Sequence, residues 1–179
     1  MDASTAAIAG AAIGALGGLG GGWLTMLGQG RHQDRQRDAE RERWRDDVRR
    51  QAYNDCVAST KQLSAAWWKM SDLLWAAGST PEHWQAGFIT AHDAWTRFSA
   101  SVAAVAIVGP RSVADRADVL RQSMYDWDMI GMAWHDAARC EGHGRLDSFA
   151  RRFKVAAEAK RSPDREFQAA ARQALGTDD

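Results

Sequence analysis

Three stretches of this chain place apolar or small residues in alternating steps of four and three, and that spacing restricts the fold more than any other feature. The first runs Ala52, Cys56, Ser59, Leu63, Ala66, Met70, Leu73, Ala77, widened by Tyr53, Val57, Trp67 and Leu74. The second runs Trp84, Phe88, Ala91, Trp95, Phe98, Val102, Val105. The third runs Val113, Ala117, Leu120, Met124, Trp127, Gly131, Trp134, Ala138. Such steps keep residues on one face of a helix and mark a face that must be buried against another helix. No alternating Val/Ile/Thr-rich run competes, and only three prolines interrupt the chain. The fold class is therefore all-α.

Punctuation between the seams agrees. Gly78 suits a helix stop, and Thr80-Pro81-Glu82 reads as N-cap, first helical position and acidic first turn. Gly109-Pro110 ends the second helix, and Ser112 with Asp115 resembles a capping box. Short connections make neighbours antiparallel. Folded that way, Ala66 falls level with Trp95 and Met70 with Ala91, while Phe88 meets Gly131 and Ala91 meets Trp127. Large residues then face small ones, as a close-packed core requires. Cys140 to Arg145 reads as a loop. A short helix follows with Leu146, Phe149, Phe153 and Ala156 on one face. Ser162-Pro163 predicts a second N-terminus, leading to Phe167, Ala171 and Ala174 before Gly176.

Upstream of the seams lies a different composition. From Ala3 to Gly30 there is no charged residue and there are nine glycines. The segment does not match a phosphate-binding fingerprint: after Gly18 and Gly20 the third glycine position holds Trp23. As a helix it would rise about 42 Å, enough to cross a ~30 Å hydrocarbon core. Gly10, Gly14, Gly18 and Gly22 recur every four residues and form a face where a second helix can approach closely. Trp23 suits an interfacial anchor, and Arg31, Arg35 and Arg37 after the span put the C-terminal side in the cytoplasm. The expectation is a single-pass helix in the cell membrane, N-terminus outside, self-associating into a homo-oligomer through the glycine face.

Residues 31–51 are charged almost all round but ordered. Asp34, Asp38, Glu42 and Asp46 each stand three residues before Arg37, Arg41, Arg45 and Arg49, a spacing that favours acid–base pairs along a helix. The expected organisation is a transmembrane helix over 1–30, a charged helical stalk over 31–51, an antiparallel three-helix core over 52–139, and short helices over 140–179 that complete the bundle.

Composition excludes more than it selects. The 23 basic and 23 acidic residues leave no net field to attract nucleic acid. Cys56 and Cys140 stand far apart with no CxxC, in keeping with a reducing compartment. No GxSxG and no HExxH occur, so no catalytic residue is expected and the chain does not read as an enzyme. Asp126 and Asp128 flank a seam tryptophan and read as solvent-facing. His135, Cys140 and His143, with Asp136 beside them, have metal-like side chains but match no zinc spacing. No metal and no cofactor is expected. Trp84, Trp95, Trp127 and Trp134 follow the helical spacing of a core, whereas Trp68 and Trp75 lie off the seam and form a candidate partner patch. Arg145, Arg151, Arg152 and Lys154, continuing to Lys160 and Arg161, form the one locally basic stretch, a candidate contact for anionic lipid headgroups.

The layout resembles small membrane-anchored helical proteins of actinobacteria. The features that carry the resemblance are the Ala/Gly-rich N-terminal span, the Arg-rich continuation, Arg49-Arg50-Gln51-Ala52-Tyr53 at the start of the bundle, and Gly109-Pro110 between two helices. It spans most of the chain and implies an architecture but no activity and no site. The functional expectation is a membrane-anchored cytoplasmic bundle that acts by binding, as a scaffold or adaptor for a protein partner. Two other readings are a membrane-active effector of the lysis or abortive-infection type, working through the glycine-rich helix, and a soluble helical regulator that binds nucleic acid.

Overall fold

A computed structural model of the chain describes the backbone of residues 3–177 and the side chains of Arg37 and of residues 40–177. The expected membrane helix over 1–30, its Gly10, Gly14, Gly18 and Gly22 face and most of the stalk pairs fall outside the described side chains. Among the described residues no helix is long and apolar enough to cross a membrane. Five helices follow in order: α1 Ala3–Trp75, α2 Pro81–Val108, α3 Arg111–Glu141, α4 Asp147–Ala159 and α5 Arg161–Ala174. The chain divides into two compact units, Met1–Arg45 and Asp46–Asp179. The first unit is helical backbone, on which Trp44 is largely exposed. The second is an all-helical bundle.

Within the second unit, α2 descends antiparallel to α1. Gly87 faces Met70 and Leu73, Ser59 Oγ lies 2.7 Å from Ser101 Oγ, and Arg49 Nε donates to the Val108 carbonyl at 3.1 Å. Arg49 also pairs with Asp46 at 3.5 Å, one of the acid–base steps read from the sequence. α3 ascends beside α2, with Phe88 stacked on His135 at 4.5 Å and Trp95 against Tyr125 at 5.8 Å. All eight positions of the third seam, Val113 to Ala138, are buried.

The fourth arm is built from two helices. α4 lays Phe153 against Trp67, Trp127 and Trp134. α5 continues in the same direction, with Glu166 paired to Arg116 at 2.7 Å and Phe167 edge-on to Tyr53. The break falls at Lys160 because Pro163 has no N–H to give the carbonyl of Ala159, four residues earlier. The helix resumes with Asp164 N–H bonded to the Lys160 carbonyl at 3.1 Å. Ser162 therefore sits inside α5 rather than capping it, and its hydroxyl meets Glu166 at 3.0 Å. Similarly α3 starts at Arg111 with Pro110 in the cap position, so Ser112 is already helical.

Register differs from the antiparallel pairing expected from the sequence by up to a turn. Met70 lies against Gly87 rather than Ala91, and Phe88 lies on His135 rather than Gly131. Gly131 instead receives Trp67 of α1. The reason is that α1 and α3 touch across the core. A flat arrangement with α2 between α1 and α3 has no such contact.

Polar groups inside the core are mostly paired. Trp67 Nε1 donates to Asp128 Oδ1 at 2.8 Å, which corrects the reading of Asp128 as solvent-facing. The carboxylate is drawn inward because it accepts from a buried indole that otherwise has no acceptor. Replacing Asp128 with alanine leaves that N–H orphaned and is expected to cost about 1–3 kcal/mol in denaturant unfolding. Burial raises the Asp128 carboxyl pKa above its ordinary value, more than the Trp67 hydrogen bond lowers it. A carboxyl raised in the fold loses stability as pH climbs from its unfolded value through the folded one, because its charged form is penalised only in the folded state. Asp128→Asn keeps an acceptor oxygen and is expected to gain in melting temperature relative to the parent at neutral pH. That gain should vanish below the ordinary carboxylate range.

Cys56 is fully buried, and burial pushes its thiol pKa up to about 11. Cys140 is exposed. A thiol-specific reagent should therefore modify one cysteine in the native protein and the second only after unfolding. Fast modification of both in the native state would contradict the placement of Cys56.

Candidate functional site

α1 carries a second stripe, off the heptad seam, at Trp68, Asp72 and Trp75. These positions are four and three apart and share a face. α4 presents Asp147, Arg151 and Lys154 with the same spacing. The two stripes form the walls of an open cleft of about 310 Å³, floored by Trp134 and Phe153. That volume lies at the lower end of what small-molecule sites occupy.

The floor is fixed before anything binds. Trp134 Nε1 donates to the Gly144 carbonyl at 2.9 Å, and Phe153 is 1% exposed. Gly144 itself lies so close to α1 that a Cβ there would run into the Leu74 carbonyl. This close approach, open only to glycine, brings the loop after α3 across the end of α1. Arg145 then donates Nε to the Trp75 carbonyl at 3.1 Å. The rings meet at steep angles: Trp75 and Trp134 at 75° and 6.4 Å, Trp68 and Phe153 at 90° and 5.5 Å. Trp68 and Trp75 nonetheless remain 40% and 42% exposed.

The charged groups of the cleft are unspent. Among the described residues, Asp72, Asp147, Arg151 and Lys154 make no ion pair and no side-chain hydrogen bond. Among the described residues, the indole N–H groups of Trp68 and Trp75 have no acceptor either. Most other bases near the cleft are engaged. Arg152 stacks on Phe149 at 5.7 Å, and Lys160 bonds Ser64 Oγ at 2.8 Å while lying over the Trp127 ring. Burial lowers the Lys160 pKa.

The structure thus brings together residues that the sequence placed in two separate patches. Trp68 and Trp75 share one cleft with Arg151 and Lys154, Arg145 secures its end, and Arg152 turns to Phe149. Asp72 and Asp147 were not singled out in the sequence. Their signal was present, since each stands four residues from a site residue on the same face. His135, Cys140 and His143 do not form a centre. His135 is buried, with Nδ1 3.2 Å from Asp136, and among the described residues no group of side chains could hold a metal ion.

No family model matches the chain, and no curated protein and no solved structure is similar to it.

Proposed function

We propose that this protein is a non-catalytic binding module, a helical bundle held at a membrane by the uncharged segment Ala3–Gly30 and working as a scaffold or adaptor. The observation that carries the reading is the cleft between α1 and α4. Two half-exposed tryptophans stand over a packed aromatic floor, ringed by four charges that no other described group satisfies. Exposing indole surface in this way costs free energy in the isolated fold, and such patches mark places where something else binds. The anchoring half of the proposal rests on the sequence: an uncharged run long enough to span, followed by arginines.

Two measurements test the two halves. Full-length protein should remain in the membrane pellet through alkaline carbonate extraction, and deletion of residues 1–30 should release it. Release of the full-length chain would remove the anchor and make a soluble module the better description. For the cleft, a photo-crosslinking benzoylphenylalanine at Trp75 should give a discrete adduct in cells. The same group at Val119, exposed on α3 and outside the cleft, should give none. Equal labelling from both positions, or none from Trp75, would deny the cleft its role.

A further inference from the structure

The cleft is polarised across its width. Its α1 wall sets the Asp72 carboxylate between two indoles, Trp68 four residues before it and Trp75 three after. Its α4 wall presents Arg151 and Lys154. The other acid, Asp147, lies in the first turn of α4, where the helix N-terminus partly offsets its charge. Asp72, in the last turn of α1, meets the negative end of its helix and has no such compensation. One wall is therefore aromatic and anionic and the facing wall is cationic. Among the described residues, the charges of the two walls make no ion pair with each other.

Each wall has a chemical complement. Indole faces attract organic cations through the ring quadrupole, and a cluster of tryptophans set at steep angles is the arrangement that receives alkylammonium groups. A carboxylate among the rings adds the counter-charge. Arginine and lysine side by side suit a phosphate, arginine as a fork and lysine as a point charge. A ligand that satisfies both walls at once must carry an ammonium and a phosphate on one short linker. A lone cation or a lone anion leaves the opposite wall unpaired.

We infer that the cleft binds a zwitterionic alkylammonium phosphate, with the ammonium against Trp68, Asp72 and Trp75 and the phosphate on Arg151 and Lys154. The inference rests on the binding-module reading and gives the cleft a ligand class. The same chemistry is found in a lipid headgroup and in a free phosphocholine-type metabolite. The headgroup form is a phosphodiester and the free form a monoester.

The experiment is calorimetric titration of the full-length chain with phosphocholine. Saturable binding is expected with a Kd of about 1 mM or tighter. Choline alone and inorganic phosphate alone should each bind at least about tenfold more weakly, since each leaves one wall unsatisfied. Trp75→Ala and Arg151→Gln should each weaken phosphocholine binding by roughly fivefold or more, the first through lost cation–π contact and the second through the lost phosphate fork. Both residues are on the surface of the bundle, and an unchanged melting temperature shows that the variants remain folded. Val155→Ser, exposed on the outer side of α4, should bind as the parent does.

Competition separates the two sources. If glycerophosphocholine and phosphatidylcholine vesicles displace phosphocholine from the parent, the ligand is the lipid headgroup. If only the monoester competes, it is the free metabolite. A Kd above about 10 mM, or equal binding by the parent and both cleft variants, overturns the inference. In that case a discrete adduct from the Trp75 photo-crosslinker would still uphold the binding module, whereas its absence would remove both.

Discussion

Gly131→Leu is expected to destabilise the bundle by about 3 kcal/mol or more, at the upper end of what overpacking costs. A Cβ at this position would lie 2.6 Å from Trp67 Cη2 and closer still to two other atoms of that ring. Trp67 cannot turn aside cheaply. It is 1% exposed, its Nε1 is bonded to Asp128, and Phe153 packs against it. Any movement of the indole therefore breaks a buried hydrogen bond as well as packing. Gly131→Ala already forces the clash, so it should show a smaller loss in the same direction. Chemical denaturation of the two variants checks this, and an unchanged midpoint for both would place Trp67 elsewhere.

Phe153→Ala should cost about 3–5 kcal/mol, the range for removing a buried aromatic side chain. Phe153 joins the fourth arm to the rest of the bundle, touching Trp67 and Trp68 on α1 and Trp127 and Trp134 on α3. Its loss opens a cavity that four large rings must collapse into. The same change removes the cleft floor, so affinity at the cleft should fall together with stability. Phe153→Leu keeps most of the volume and should recover much of the stability. Tryptophan fluorescence during unfolding follows both variants. Destabilisation of less than about 1 kcal/mol for Phe153→Ala would mean that α4 is not docked as described.

The two predictions divide differently between sequence and structure. That Gly131 needs a large neighbour was legible, because a glycine stands in a seam otherwise made of Val, Ala, Leu, Met and Trp. Which neighbour it receives was not. The sequence reading offered Phe88 of the adjacent helix, and the fold supplies Trp67 from across the core. The same limit applies to Asp128. Its place beside Trp127 gave no reason to bury it, and only the arrival of the Trp67 N–H makes a buried carboxylate there favourable.

By itself the sequence determined that the described chain is helical, where its turns fall, and which face of each long helix is buried. These properties are local. They follow from the 3.6-residue period, from glycine and proline at the breaks, and from the cost of leaving a seam of Val, Leu, Met and Trp in water. Tertiary structure decided the register between helices and the assembly of the cleft from Trp68, Asp72 and Trp75 on one helix with Arg151 and Lys154 on another. Those depend on which distant side chains meet. Spacing along the chain fixes a residue's direction around its own helix, but not the height at which a neighbouring helix settles. That height is set by how the large rings interlock across the whole core.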